Sequence, residues 1–190
     1  SAMQVEVYMR GRSNLPIYVE NAAEFLTTGN KRFTSKSVVI YSTVSGNTKE
    51  MVQLVDRVHE IGAKVFAFID TPGSLLTQEG KWDYLVLYPK NEQLKFFMVA
   101  NYLMYKNGEF ADYDRYNKEM EANLALDLVE VEKQADAWAY DYAQKKVAFL
   151  KDHPDLPHYF VGSGNQYGAT YSYAMCYWEE QMWIRTKSIS

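Results

Sequence analysis

The sequence is poor in cysteine, in basic residues and in long apolar runs. A single cysteine, Cys176, excludes an internal disulfide and is typical of a reducing, cytoplasmic environment. The formal charge of −4, from 20 Lys and Arg against 24 Asp and Glu, argues against a nucleic-acid-binding protein, whose binding face must be basic. The longest apolar runs, such as Val38–Tyr41 and Val65–Ile69, are too short to cross a bilayer, so we expect no membrane partner.

The sequence also has little that predicts a metal or an organic cofactor. The three histidines, His59, His153 and His158, are scattered, and the lone cysteine completes no ligand pattern of a structural metal site. The segment Gly162–Gly164 is a weak dinucleotide-like signal, but it lacks the third glycine of the phosphate-binding fingerprint. We therefore expect neither a metal nor an organic cofactor.

The most informative segment is Ser37–Asp70, which has the pattern strand, loop, helix and strand. The run at Ser37–Ser42 is apolar on both faces, as in a strand buried in a parallel sheet. Apolar residues then recur at helical spacing until Gly62, which is placed for a left-handed helix end. Between them lies the hydroxyl-rich loop Thr43–Thr48, at a strand's carboxyl end and a helix N-terminus. This arrangement favours phosphate binding.

A second interpretation of the same loop stays open. Ser45 and Thr48 could simply cap the helix, because Ser and Thr are common N-caps and Ser-x-x-Glu capping boxes are frequent. On periodicity alone, phosphate binding and plain capping are equally compatible with the loop.

Outside this segment we predict further helices and strands from periodicity and from turn residues. They are a helix at Ser1–Arg10, a short strand at Ile17–Glu20, a helical turn at Asn21–Phe25, a helical turn at Leu75–Gln78, a strand at Asp83–Tyr88, a helix at Gln93–Tyr105, helices at Tyr113–Leu128 and Val129–Leu150, a strand at His158–Val161, and an aromatic helix at Gln166–Ile184. In the helix at Val129–Leu150 we expect the alanines and four larger side chains to face inward: Trp138, Tyr142, Val147 and Leu150.

The order strand, Gly/Ser turn and helix occurs a second time near the end of the chain, which indicates a duplicated α/β architecture. We divide the chain into a first domain at 1–110 that lacks its first strand, connecting helices at 111–155, and the start of a second domain at 156–190. One predicted strand cannot cover the faces of a second α/β half. We therefore expect a segment of a longer protein, or a chain that relies on a partner.

Two segments of the sequence resemble the sugar isomerase (SIS) domain family. The loop Thr43–Thr48 is similar to that family's phosphosugar-binding loop, and Gly162–Ile184 is similar to the start of its second SIS domain. Asn21–Phe25 stands where these proteins carry a related short turn. Bacterial fructosamine-6-phosphate deglycases, including fructoselysine-6-phosphate deglycase, are the most similar group. The isomerase domain of glutamine–fructose-6-phosphate aminotransferase is similar more distantly.

The resemblance implies an α/β fold, a doubly wound parallel sheet in three αβα layers, with the first SIS half nearly complete and the second only begun. It also implies that the phosphate of a sugar is held by the hydroxyls of Thr43, Ser45 and Thr48. Gly46 would let the backbone approach the phosphate, and Val44 would add an amide. A homodimer or higher homo-oligomer is expected, because family members usually build the site across a dimer.

For catalysis, the resemblance implies acid–base work by a glutamate on the aromatic helix, which corresponds to Glu180, with Glu179 as the neighbouring candidate. We expect Tyr177, Trp178 and Trp183 to bury Glu180, and burial would raise the pKa of its carboxyl group. The alternative is a surface pair in which neither glutamate is catalytic. The family's Gly-Glu-Phe-x-x-His-Gly-Pro segment, which carries further catalytic residues, would begin just beyond Ser190, so we expect this chain to lack part of the machinery.

Three functions follow as expectations. The first is the phosphosugar-binding segment of a deglycase that converts a phosphorylated sugar amine to a hexose 6-phosphate and a free amine. The second is a non-catalytic SIS module that senses a sugar phosphate, although no basic recognition helix is visible. The third is a ketose–aldose phosphosugar isomerase. In each case the expected ligand is a phosphorylated sugar amine or a hexose 6-phosphate.

Overall fold

The βαβ pattern of Ser37–Asp70 forms a parallel sheet in the computed structural model, which describes residues 1–190. The elements in chain order are α1 (Ala2–Arg10), α2 (Ala22–Thr28), β1 (Val38–Thr43), α3 (Lys49–Ile61), β2 (Lys64–Ile69), α4 (Leu75–Gln78), β3 (Tyr84–Leu87), α5 (Glu92–Lys106), α6 (Tyr113–Glu119), a π-helical segment (Met120–Leu124), α7 (Ala125–Asp152), β4 (His158–Val161), a 3₁₀ turn (Gly164–Gln166), α8 (Tyr167–Ser172), a π-helical segment (Tyr173–Gln181) and β5 (Thr186–Ile189). They fall into two units, Ser1–Ala2 with Pro16–Met98, and Met3–Leu15 with Val99–Ser190.

The first unit is built on a three-stranded parallel sheet in the order β1-β2-β3. The register pairs Val38 with Lys64 and Thr43 with Ile69, so β1 and β2 end level with each other. Because the strands are parallel, the loops after β1, β2 and β3 emerge at one edge of the sheet. In open α/β sheets this carboxyl edge is where ligands bind.

Helix α3 packs its apolar face against this sheet. Val55 and Val58 on the helix and Val65 on β2 are fully buried, and each contributes about 1.5–3 kcal/mol by leaving water. Gly62 ends the helix in the left-handed conformation at φ +82°, as its position in the sequence predicts. The core of this unit consists of Phe25, Tyr41, Leu54, Val55, Val58, Ala63, Val65, Ala67, Ile69 and Leu76.

The second unit contains a two-stranded parallel sheet of β4 and β5. Its register pairs His158 with Thr186 at one end and Val161 with Ile189 at the other. The expectation of one strand in this part of the chain is therefore wrong. Thr186–Ile189 has little apolar character, and its strand conformation follows from backbone pairing with β4 rather than from its own pattern. The predicted strand at His158–Val161 is confirmed.

Three other predictions are wrong in the type or the limits of an element. Ile17–Glu20 forms no strand, because no neighbouring strand pairs with it. The predicted break between Leu128 and Val129 does not occur, since neither glycine nor proline interrupts the helix there, and α7 runs without interruption over 28 residues. The aromatic helix ends at Gln181 rather than at Ile184, just before Trp183 adopts a φ of +58°.

Helix α7 does not bury the side chains that the sequence pattern predicts to face inward. Trp138 is 66% exposed, and Tyr142 and Val147 are also exposed, while Leu150 is only half-buried. Trp138 stacks on Tyr142 with ring centroids 5.0 Å apart, so these two rings cover each other rather than a core. The prediction fails because no other layer of the second unit covers this helix. No helix in the protein is both long enough and apolar enough to cross a membrane.

Candidate functional site

The predicted phosphate loop joins the carboxyl end of β1 to the N-terminus of α3. Thr43 is buried, and its Oγ1 accepts a hydrogen bond from the Gly46 N–H at 3.2 Å. Ser45 is exposed, and its Oγ accepts from the Asn47 N–H at 3.3 Å, which shapes the loop before the helix begins. Thr48 stands at the N-cap position, but its side chain forms no capping hydrogen bond with the first turn of α3. Simple helix capping therefore does not account for these hydroxyls.

Gly46 is required by both the conformation and the packing of this loop. Its φ is +64°, in the left-handed region that favours glycine. A Cβ at this position would collide with Ser74 Oγ, and would lie 2.6 Å from Ser74 Cβ and 3.2 Å from Ile69 Cγ2. The Gly46 carbonyl accepts a hydrogen bond from the Leu76 N–H at 3.2 Å. The loop after β1 is thus packed directly on the segment that follows β2.

Side-chain hydrogen bonds strengthen this attachment. Thr71 Oγ1 donates to the Val44 carbonyl at 2.7 Å. Asn47 Oδ1 accepts from the Leu75 N–H at 2.9 Å. These contacts hold the loop backbone in place at the edge of the sheet, while Val44, Ser45 and Thr48 remain exposed.

The local electrostatics at this edge favour an anion. The first amides of a helix lack intrahelical acceptors, and the aligned peptide dipoles place positive potential at this end. Helix α3 has 13 residues, so its dipole is well developed. The loop combines these amides with exposed hydroxyls, which is an arrangement that can hold the terminal oxygens of a phosphate group.

An ion pair that the sequence analysis does not predict lies at the same edge of the sheet. Asp70 is the residue directly after β2, and its Oδ1 lies 3.1 Å from Lys95 Nζ on α5. Lys95 Nζ also donates to the Tyr88 carbonyl. The Lys90 N–H donates to Asp70 Oδ2 at 3.3 Å. Each residue stands out in the sequence by itself, because Asp70 follows a buried strand and Lys95 interrupts an apolar helix, but neither indicates the other.

The two predicted catalytic glutamates lie in the second unit and differ in their surroundings. Glu179 Oε1 accepts hydrogen bonds from the Thr186 N–H at 3.2 Å and from Thr186 Oγ1 at 2.5 Å. Glu179 also lines a cavity of about 240 Å³, together with Tyr167, Tyr171, Met175, Thr186, Lys187 and Ser188. Glu180 does not line this cavity.

The expected burial of Glu180 is wrong. Glu180 is exposed, and Trp183 beside it is 89% exposed. Trp178 is the ring that packs on the sheet, with its centroid 5.3 Å from that of Phe160 and 4.8 Å from that of His158. Because Glu180 follows Trp178 by two positions on a helix, it lies on nearly the opposite side.

The side chains that could bind a metal ion are not clustered. No group of three or more His, Cys, Asp or Glu residues is placed to hold a metal ion. The phosphate loop belongs to the first unit, and Glu179 and Glu180 belong to the second.

Comparison with known proteins gives one curated relative and several solved structures. No protein-family model matches the sequence. The chain is 27% identical to fructosamine deglycase FrlB of Bacillus subtilis over 191 aligned residues, which covers 96% of this chain and 56% of FrlB.

Two solved structures superpose on nearly the whole chain. A proposed phosphosugar isomerase from Salmonella typhimurium LT2 has a TM-score of 0.82 at 22% identity, covering 99% of this chain and 57% of that protein. A proposed phosphosugar isomerase from Bacillus subtilis has a TM-score of 0.78 at 22% identity, covering 99% and 58%. The chain thus spans somewhat more than half the length of these relatives. The resemblance predicted from the two loops is confirmed: the chain is related to the sugar isomerase (SIS) domain proteins and has their fold, a parallel sheet flanked by helices.

Proposed function

We propose that the chain binds a phosphorylated sugar through the loop Thr43–Thr48. The observation that carries this proposal is the state of the loop hydroxyls: Ser45 and Thr48 are exposed at the N-terminus of α3, and Thr48 does not cap the helix. The Thr43 hydroxyl shapes the loop through the Gly46 N–H and is the third candidate donor to the phosphate. The Val44 amide completes the set of proposed phosphate contacts, and Gly46 lets the backbone approach the phosphate.

The helix terminus and the loop can supply enough binding energy for a sugar phosphate without a lysine side chain. A helix terminus contributes about 0.3–1 kcal/mol toward an anion, and about 2 kcal/mol where the site is partly buried. Each hydrogen bond to a charged group adds about 1.5–3 kcal/mol. Two hydroxyls and the loop amides together can therefore hold a sugar phosphate at micromolar to millimolar concentration.

For the reaction, we propose that the protein acts on a phosphorylated sugar amine of the fructosamine class, as a deglycase. A base removes a proton from C1 of the open-chain ketosamine, the resulting enaminol is reprotonated at C2, and water hydrolyses the imine to a hexose 6-phosphate and a free amine. The name of the curated relative, and an alignment with it that covers 96% of this chain, support this class of substrate. No cofactor is needed, because every step is a proton transfer or a hydrolysis.

Glu180 and Glu179 are the proposed acid–base residues of this chain. The resemblance favours Glu180, whereas the cavity and the contacts of Thr186 favour Glu179. A ketose–aldose isomerase is the second candidate function, and it is supported by the two similar solved structures. A non-catalytic sugar-phosphate sensor is the alternative in which neither glutamate reacts.

We also propose the domain limits 1–110, 111–155 and 156–190 and a cytoplasmic homodimer or higher homo-oligomer. The exposed aromatic side chains of α7, including Trp138, Tyr140 and Tyr142, support self-association, because aromatic residues are enriched at interfaces. Sedimentation equilibrium of the chain tests the proposed self-association, and a monomer at all concentrations would contradict it.

The function itself is tested by calorimetric titration with glucose 6-phosphate, fructose 6-phosphate and unphosphorylated glucose. We expect both phosphates to bind and glucose to show no measurable heat. Binding of glucose with the same affinity as its phosphate would exclude the loop as a phosphate site. Release of free amine from fructoselysine 6-phosphate separates the deglycase from the isomerase and from the sensor.

A further inference from the structure

The Lys95–Asp70 pair is unusual because both partners are largely removed from water. The side chain of Lys95 is 9% exposed and that of Asp70 is 17% exposed. The Lys95 ammonium group also lies 5.8 Å from the ring centroids of Phe68 and Tyr88. Burying an ion pair costs desolvation energy that its attraction often fails to recover, so packing alone gives no reason for these charges.

The pair holds a strained turn between β3 and α5. Lys90 and Asn91 have φ values of +67° and +55°, and they are two of the three non-glycine residues with positive φ in the chain. Each such residue costs about 1–3 kcal/mol and persists only where its surroundings impose the conformation. Here the surroundings are Asp70, whose carboxylate accepts the Lys90 N–H at 3.3 Å, and Lys95, whose Nζ donates to the Tyr88 carbonyl just before the turn.

The same network reaches the proposed phosphate loop. The Asp70 N–H donates to the carbonyl of Thr43 at 3.2 Å, and the Tyr88 N–H donates to the carbonyl of Ile69 at 3.2 Å. Lys95 Nζ then joins Asp70 to the Tyr88 carbonyl. The carboxyl ends of β1, β2 and β3 are therefore linked in a row, and the strained turn follows the last of them.

We propose that Asp70 and Lys95 are positioning residues, which hold the Lys90–Asn91 turn against the sugar part of a phosphorylated sugar whose phosphate lies on Thr43–Thr48. This inference rests on the proposed phosphosugar function. Lys90 and Asn91 are both exposed, so both turn residues offer polar side chains to sugar hydroxyls. The pair would thus determine the preference for a sugar phosphate over inorganic phosphate without contacting the ligand.

The test is a titration of the whole chain with glucose 6-phosphate and, separately, with inorganic phosphate. The variant is Asp70→Asn combined with Lys95→Met, because removing both charges leaves no buried ion unpaired. Lys81→Met is the matched control, since Lys81 also forms ion pairs, with Asp56 and Glu79, in the same unit. Circular dichroism and thermal unfolding verify that each variant is folded.

We expect the double variant to bind glucose 6-phosphate about fivefold or more weakly, while its affinity for inorganic phosphate stays within about twofold. The control should change neither affinity. The inference is overturned if the two affinities fall by the same factor, if neither changes, or if the wild-type chain binds both ligands equally well. A wild-type chain that binds neither ligand overturns the proposed function itself, and the inference with it.

Discussion

Ser74 occupies the space that a side chain at Gly46 would need. An added Cβ would meet both the hydroxyl and the Cβ of Ser74, which is itself buried under the loop. Ser74 also contacts Thr77, with 3.2 Å between the two hydroxyl oxygens, so it is held from both sides. The backbone path of the phosphate loop therefore depends on a contact between the segments that follow β1 and β2.

Replacing this glycine should damage both the fold and the site. We expect Gly46→Ala to lower the free energy of unfolding by about 2–4 kcal/mol, because the positive φ and the collision add. Binding of glucose 6-phosphate should be lost with it. Chemical denaturation and calorimetry measure the two effects.

The control for this change is Gly80→Ala, in the same unit. Gly80 has a nearly equal φ of +62°, but nothing lies within 4 Å of its added Cβ. It should therefore show only the backbone cost, about 1–2 kcal/mol, and normal ligand binding. Equal losses at the two positions would show that the Ser74 contact contributes nothing.

The stability of the second unit should depend on pH through Glu109. Hydrogen bonds from the Ser13 hydroxyl and from the Asn14 N–H lower the pKa of this carboxyl from 4.5 to about 2. Because the pKa is lower in the folded state, the stabilisation is complete above pH 4.5 and is lost as the pH falls toward 2. Urea denaturation at several pH values between 7 and 2.5 should show this decline.

Glu109→Gln is the comparison variant for the pH series. A glutamine side chain does not titrate, so the stability of this variant should fall less steeply than that of the wild type between pH 4.5 and 2.5. Parallel curves for the two proteins would assign the decline to other carboxyl groups.

Substitution of the two adjacent glutamates should have different effects on stability, with the larger effect at Glu179. Glu179→Gln weakens the hydrogen bonds to Thr186, and we expect it to lower the unfolding free energy by about 1 kcal/mol. Glu180→Gln, on an exposed side chain without such contacts, should leave stability within about 0.5 kcal/mol. Thermal unfolding of the two variants compares these effects.

Turnover of fructoselysine 6-phosphate then distinguishes the two residues chemically. If Glu180 is the acid–base residue, Glu180→Gln abolishes amine release and leaves substrate affinity unchanged. Normal kcat in Glu180→Gln together with loss of kcat in Glu179→Gln would transfer that role to Glu179.

The parts of the fold that the sequence predicts well are those with strong local signals. The helix ended by Gly62 and the strands at Val38–Thr43, Lys64–Ile69 and Tyr84–Leu87 have apolar runs or caps that need no knowledge of neighbours. The strand at Thr186–Ile189 has no such local signal, since only its pairing with β4 makes it a strand. The exposed face of α7 also could not be predicted, because helical periodicity does not show whether a covering layer is present.

The same distinction applies to the candidate site. The loop Thr43–Thr48 is contiguous, so its hydroxyls and glycine could be recognised in the sequence. The Lys95–Asp70 pair joins residues 25 positions apart, and neither has a local pattern that names the other. The aromatic neighbours of Glu180 predict that it is buried, but the side of the helix that meets the sheet is set by Trp178.

The phosphate site at Thr43–Thr48 is tested by the affinity of Ser45→Ala/Thr48→Val for glucose 6-phosphate, measured by calorimetry. The matched control removes two exposed hydroxyls elsewhere in the first unit, in Thr28→Val/Ser35→Ala. We predict that the loop variant remains folded and binds more than about tenfold more weakly, since two charged hydrogen bonds are lost, while the control binds normally. Unchanged affinity in the loop variant would contradict the assignment of this loop as the phosphate site.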